Sequence, residues 1–307
     1  NWGIPMPNDP THSVYVWIDA LSNYYTALGM PEVGLPDDGK FHKYWPASLH
    51  LIGKDILWFH SVYWPCLLLS LDLPLPKRIF AHGWWMSEGK KMSKSLGNFI
   101  SREVIAELCQ AYSVDVFRYF LLRAVPFGTD GDFSKEMFQQ RYNTELANGI
   151  GNLLSRTVNM IGRYFDGKIP AAQLPGEQER EIISAAVDLH DNALPLMEGC
   201  EFFSYIEKIL ALAGATNRYI DVTAPFKLAK DPSQAERLGT ILYTCAEAVR
   251  IILLYLQPLM PETSIRGLSQ LNWQAPADRT LDEIGRWGIL QAGTMVAKGD
   301  GLFPRKE

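Results

Sequence analysis

Cysteine is sparse in this chain and never paired. Its four copies, Cys66, Cys109, Cys200 and Cys245, are far apart and form no Cys-x-x-Cys motif. In apolar, helix-like surroundings they read as reduced core residues of a cytosol-like compartment, cytoplasm or organellar matrix alike. Long apolar runs are missing too: the longest candidate, Val62 to Leu73, is broken by Pro65 and Ser70, so no membrane span is expected. Positive charge is not in excess. A net charge of -5 speaks against a protein that coats nucleic acid non-specifically, so any nucleic-acid contact must use local basic patches. No signal peptide, internal repeat or low-complexity tract is visible, and the opening Asn1-Trp2-Gly3-Ile4-Pro5 has no initiating Met. We therefore expect a chain that begins inside a larger protein.

What is present is apolar and periodic. With 307 residues, 47% of them hydrophobic and only 21% charged, the chain has material for two well-packed domains. In the first third, Val14 to Ile18, Ser48 to Ile52 and Arg78 to His82 read as strands, with helices over Ala20 to Leu28 and Asp55 to Leu71. That alternation predicts a doubly wound α/β sheet, whose ligands bind beyond the carboxyl ends of its strands. Asp19, Gly53-Lys54-Asp55 and Gly83 directly follow the three runs. From Phe99 onward the pattern is helical, with Ser101 and Ser113 as caps, a turn cluster at Pro126 to Asp132, and long segments including Ser134 to Phe165 and Ser233 to Leu256. The fold class expected is α/β followed by all-α. The expected divisions are residues 1–98, a helical connection 99–131, a bundle 132–275 and a turn-rich tail 276–307.

Lys91-Met92-Ser93-Lys94-Ser95 places two lysines and two hydroxyls on a short loop after an apolar strand, with Leu96-Gly97-Asn98 leading toward a helix. Such a loop suits phosphate, although a lone Lys-x-x-Lys is more often a solvated turn. The pentapeptide with Gly97-Asn98 behind it resembles the signature loop of the class I aminoacyl-tRNA synthetases, which activate an amino acid with ATP and load it onto tRNA. Gly53 to Pro65 and Tyr15 to Leu21 are similar to segments of the methionyl-tRNA synthetases in particular. The stripe through Ile56, His60 and Trp64, with Phe59 beside it, is by itself more often a plain core.

The resemblance implies a methionine side-chain pocket lined by Trp17, Tyr24, Phe59 and His60, with Tyr15 and Trp64 packed around it. Aromatic walls suit an unbranched thioether, each sulfur-to-ring contact contributing roughly 0.3 to 1.5 kcal/mol. It places Gly53 and Asp55 at the adenosine and the peptide near Trp85 beside the adenine. Asp55 also fits a helix N-cap. Lys94 is the expected catalytic cation, assisted by Lys91, Ser93 and Ser95. ATP with Mg2+ and methionine are the implied small molecules. The family's His-x-Gly-His-type motif and its zinc-bearing insertion are absent from these residues, so zinc is expected only upstream. The chain is thus expected to be the C-terminal part of such an enzyme, residues 1–98 being the C-terminal half of a Rossmann-type catalytic domain, inactive without the N-terminal half.

On a helix from Gln140 to Phe165, Asn148, Asn152, Arg156, Asn159 and Arg163 fall on one stripe opposite Leu146, Ile150, Leu153, Leu154, Thr157 and Ile161. Repeated asparagine, a middling helix former, suggests a hydrogen-bonding task, although a solvated face would look similar. Asn152 to Arg156 resembles the family's anticodon-reading helix, and Asn217 to Asp221 with Ala224-Pro225-Phe226 resembles a second anticodon-facing element. tRNA(Met) is the implied partner, with Asn152, Arg156 and Phe226 as anticodon-binding residues and residues 132–275 as the anticodon-binding domain. The rival readings are a non-catalytic tRNA-binding module and a synthetase for another amino acid.

Overall fold

The computed structural model describes residues 2–30, 39–87, 89–92 and 99–306. Ser93, Lys94 and Ser95 of the lysine loop lie outside the described residues. The chain forms two compact units, Asn1–Trp85 with Gly128–Gly131, and Met86–Phe127 with Asp132–Glu307.

The first unit opens with β1 (Pro5–Met6) and β2 (Asp9–Ser13), an antiparallel pair, then α1 (Val16–Thr26) and α2 (Lys40–Tyr44). After β3 (His50–Gly53) come a 3-10 turn (Lys54–Ile56), a π-helical turn (Phe59–Tyr63) and α3 (Trp64–Ser70), and β4 (Ile79–His82) then pairs parallel to β3. Two sequence expectations change here. Val14 to Ile18 is not a strand, because Val16 already starts α1, and Asp19 sits in that helix's first turn. The reason is the spacing of what packs: Trp17, Leu21, Tyr25 and Leu28 all join the core around Phe41, Trp45, Trp64 and Leu68. That is a helical period, and it overrides the β-branched bias of the run. The β1–β2 pair leaves no mark in the sequence because its side chains are mostly exposed and carry no alternation.

Ile56, His60 and Trp64 share a face as expected, Ile56 half-buried and the other two buried, and buried Leu68 extends it. Their backbone is not one regular helix. The π turn precedes Pro65, a residue with no N–H whose ring crowds the carbonyl four residues back, and the wider turn relieves that crowding. Cys66 is exposed and Cys109 half-buried, so only Cys200 and Cys245 are the core cysteines expected.

The second unit contains β6 (Lys90–Lys91), α4 (Arg102–Ala111) and α5 (Val114–Arg123), with β5 (Trp85–Ser87) and β7 (Gly131–Phe133), whose first residues each belong to the first unit; the sheet order is β6-β5-β7. Ser101 and Ser113 cap α4 and α5 as predicted, accepting from the Val104 and Val116 amides. The predicted long helix is α6 (Lys135–Arg141), a π-helical stretch (Tyr142–Gly151) and α7 (Asn152–Tyr164). Then follow α8 (Glu177–Glu198), α9 (Phe202–Thr223), α10 (Pro225–Leu228), α11 (Ala235–Leu256), α12 (Pro261–Gln270) and α13 (Leu281–Ile284).

Pro232–Leu256 is, by length and composition, apolar enough to cross a bilayer, contrary to the sequence expectation, but 94% of its most apolar 18-residue stretch is buried inside the protein. It is packed as a core helix. Its two buried charges pair with each other: Arg250 Nη2 lies 2.6 Å from Glu247 Oε1, with both side chains fully buried. Glu247 also accepts from the Gly288, Ile289 and Leu290 amides, and Arg250 donates to the Ile284 and Arg286 carbonyls. The tail is therefore no loose appendage. Tyr142 donates to the Pro304 carbonyl at 2.6 Å, and Leu302 and Phe303 are buried.

Candidate functional site

At the carboxyl end of β3, Gly53 is still extended (φ -70°, ψ 146°) and hands the chain to the 3-10 turn. A Cβ there would meet Asp55 Oδ1 at 2.6 Å, so only glycine lets that carboxylate fold back. The Asp55 side chain does not cap a helix; it accepts from the Trp84 indole Nε1 at 3.3 Å. Lys54 Nζ lies 2.6 Å from both Asp130 carboxylate oxygens and 4.5 Å from the Trp84 ring centre. Asp130 accepts from the Trp84 amide at 2.9 Å as well. The hydrogen bond from Lys54, then that from Trp84, hold the Asp130 carboxyl below its usual range. Gly83 completes the arrangement: a Cβ there would come within 2.1 Å of the Thr129 carbonyl oxygen, so the two backbones touch. Gly53 and Asp55 are thus brought together, but with Lys54, Trp84 and Asp130, none of which the sequence reading gave a role. Trp85 is the first residue of β5, half-buried.

Beside this lies an aromatic box. Trp17 from α1 stacks on Phe59, centroids 4.2 Å apart and planes 12° from parallel, and Tyr15 lies 6.3 Å from Phe59. Beneath them His60, 1% exposed, places Nδ1 3.0 Å from the Ile56 carbonyl and Nε2 2.9 Å from the Tyr24 hydroxyl. A carbonyl only accepts, so Nδ1 carries the proton, and in the neutral ring Nε2 accepts from Tyr24. Burial pushes the Tyr24 hydroxyl pKa up, which keeps it a donor. Trp64, 0% exposed, donates through Nε1 to His50 Nε2 at 3.1 Å. All six residues expected around the pocket therefore converge. An open apolar cavity of 350 Å³ is lined by Tyr15, Trp17, Ile18, Leu21, Tyr63, Cys66 and Leu67, sharing only Tyr15 and Trp17 with that set.

In the second unit Lys91 is exposed on β6, opposite Met86. On α7 Asn152 and Asn159 are exposed, whereas Arg156 Nη2 contacts Asp221 Oδ1 of α9 at 2.6 Å. Of the second element, Asn217 donates to the Gly149 carbonyl at 3.2 Å, and buried Tyr219 donates to Glu179, so both also tie helices together. Ala224 adopts a left-handed conformation (φ 44°, ψ 59°), a tight corner that starts α10 and leaves Phe226 50% exposed. Among the described residues, no three His, Cys, Asp or Glu side chains group as metal ligands.

The family described as tRNA synthetases class I (M) matches residues 1–158. Among curated relatives, the methionine–tRNA ligase of Caldanaerobacter subterraneus subsp. tengcongensis is 48% identical over 306 residues, which are 99% of this chain and 47% of that protein. The methionine–tRNA ligase of Bacillus subtilis is 45% identical over 308 residues, 100% of this chain and 45% of that protein. Among solved structures, Mycobacterium tuberculosis methionyl-tRNA synthetase in complex with methionyl-adenylate matches with a TM-score of 0.88 at 41% identity, covering 99% of this chain and 58% of that one. The chain spans about half the length of the curated relatives it matches.

Proposed function

The chain belongs to the methionyl-tRNA synthetases of class I, and from that premise we propose that it takes part in ATP-dependent formation of methionyl-adenylate and in transfer of methionine to tRNA(Met). The observation that carries the proposal is the aromatic box. The Trp17–Phe59 stack over the Tyr24–His60 hydrogen bond offers flat apolar walls and one polar atom, which suits a linear thioether. On this reading β3 and β4 belong to a doubly wound parallel sheet, with the nucleotide beyond their carboxyl ends at Gly53 and Asp55. The Asp55 carboxylate, oriented by Trp84, accepts from ribose hydroxyls.

The reaction asks for position and charge rather than a proton carrier. The methionine carboxylate attacks the α-phosphate in line, a carboxyl-oxygen-to-phosphorus bond forms, the bond to the β-phosphate oxygen breaks, and pyrophosphate leaves. Lys94 and Lys91 supply cationic charge to the phosphate oxygens. Bound Mg2+ would add further positive charge at the nucleotide phosphates. Asn152, Arg156 and Phe226 face the anticodon, two as hydrogen-bonding groups and one as a stacking platform. The activity is that of the whole enzyme of which relatives carry a further half.

The test is methionine-dependent ATP–pyrophosphate exchange by the enzyme containing this chain. Lys94→Ala is expected to slow it about 10² to 10³-fold with the fold retained, as measured by circular dichroism. An enzyme that binds tRNA yet shows no methionine-dependent exchange would be a binding module instead.

A further inference from the structure

His50 is the first residue of β3, and no sequence feature marks it. In the fold it is 6% exposed and stands behind the aromatic box, its ring centre 4.4 Å from Tyr24, 6.0 Å from His60 and 6.4 Å from Trp64. An indole N–H can only donate, so the 3.1 Å bond from Trp64 Nε1 fixes His50 Nε2 as an unprotonated acceptor, and the neutral ring carries its hydrogen on Nδ1. Burial, and after it the neighbouring His60, push the His50 pKa down, in keeping with that neutral form. Trp64 is fully buried and has no other polar side-chain atom, so without His50 its N–H would be stranded.

We propose that His50 is a positioning residue for the amino-acid pocket: by accepting from Trp64 and backing Tyr24, it fixes the two rings against which His60 and the methionine side chain are aligned. The inference rests on reading the box as the methionine pocket. His50 touches no reacting atom. Its influence therefore falls on methionine binding and not on the chemical step or on ATP.

Two substitutions separate an acceptor from mere bulk. In His50→Gln the amide oxygen reaches the place of Nε2 and still accepts from Trp64; in His50→Leu nothing does. In pyrophosphate exchange by the enzyme containing this chain, His50→Leu is expected to raise KM for methionine about tenfold, while kcat and KM for ATP stay within about twofold. His50→Gln should remain within about threefold of the unsubstituted enzyme in all three constants. The proposal is overturned if His50→Leu leaves KM for methionine unchanged, if kcat and both KM values deteriorate together, or if His50→Gln is as impaired as His50→Leu. An unsubstituted enzyme without methionine-dependent exchange would instead refute the pocket assignment itself, and this role with it.

Discussion

Arg156 shows how a residue can be in the expected place and yet be occupied. It belongs to the polar stripe of α7, and its guanidinium is held by Asp221 at 2.6 Å, so a base edge must compete with that carboxylate. Arg156→Ala is expected to leave pyrophosphate exchange unchanged and to lower tRNA charging by about 10-fold or more, since a paired base contact is worth about 1 to 3 kcal/mol. Equal loss in both assays would make the stripe structural. His50 gives a pH test at the same scale. Its folded pKa is depressed below the ordinary 6.5, so the unfolded chain takes up a proton that the folded chain resists. This contribution to stability is complete above about pH 6.5 and declines as the pH falls below it, and denaturant midpoints measured between about pH 5 and 7.5 should show that decline flattened in His50→Gln. The box residues were named through the family resemblance of Tyr15 to Leu21 and Gly53 to Pro65, since an aromatic stripe by itself reads more readily as core. His50 and Trp84 were not, because the bonds that give them meaning run to Trp64 and Asp55, 14 and 29 positions away.

Elements were read correctly where local chemistry decides them, as with the serine caps of α4 and α5, and misread where packing decides. Val14 to Ile18 has the residue types of a strand and the contact spacing of a helix, and only the latter packs Trp17 against the cluster that holds buried Leu21. The turn after β4 has no tolerance at Gly83, where an added methyl would strike the Thr129 carbonyl and the Asp130 amide nitrogen at 2.1 and 2.7 Å. Backbone atoms cannot swing aside as a flexible side chain can. Gly83→Ala should therefore displace residues 128–131, loosen Asp130 from Lys54 and Trp84, and raise KM for ATP several-fold with a smaller effect on KM for methionine. Unaltered ATP kinetics would show that the Asp55 carboxylate keeps its place without that contact.

For the whole molecule, the long second unit depends on a buried ion pair whose partners were visible in the sequence only as two charges in an apolar helix. Glu247 has five donors and Arg250 two carbonyl acceptors beyond it, so the pair ties α11 to residues 284–290. Glu247→Ala would leave a buried guanidinium and three amides unanswered, and we expect a loss of about 3 to 5 kcal/mol in denaturant unfolding, with early proteolysis after residue 284. A cut site elsewhere would contradict the anchoring role.

Gly128–Gly131 belongs with the first unit although the chain between Met86 and Phe127 does not. The smaller unit is thus discontinuous in sequence, and its counterion for Lys54 arrives only after α4 and α5 have been threaded. A gene fragment ending at residue 85 would synthesise a body with an unbalanced ammonium beneath Trp84 and an uncovered Gly83. On a translating ribosome, that end of the first unit must wait for more than forty further residues to emerge before it can close.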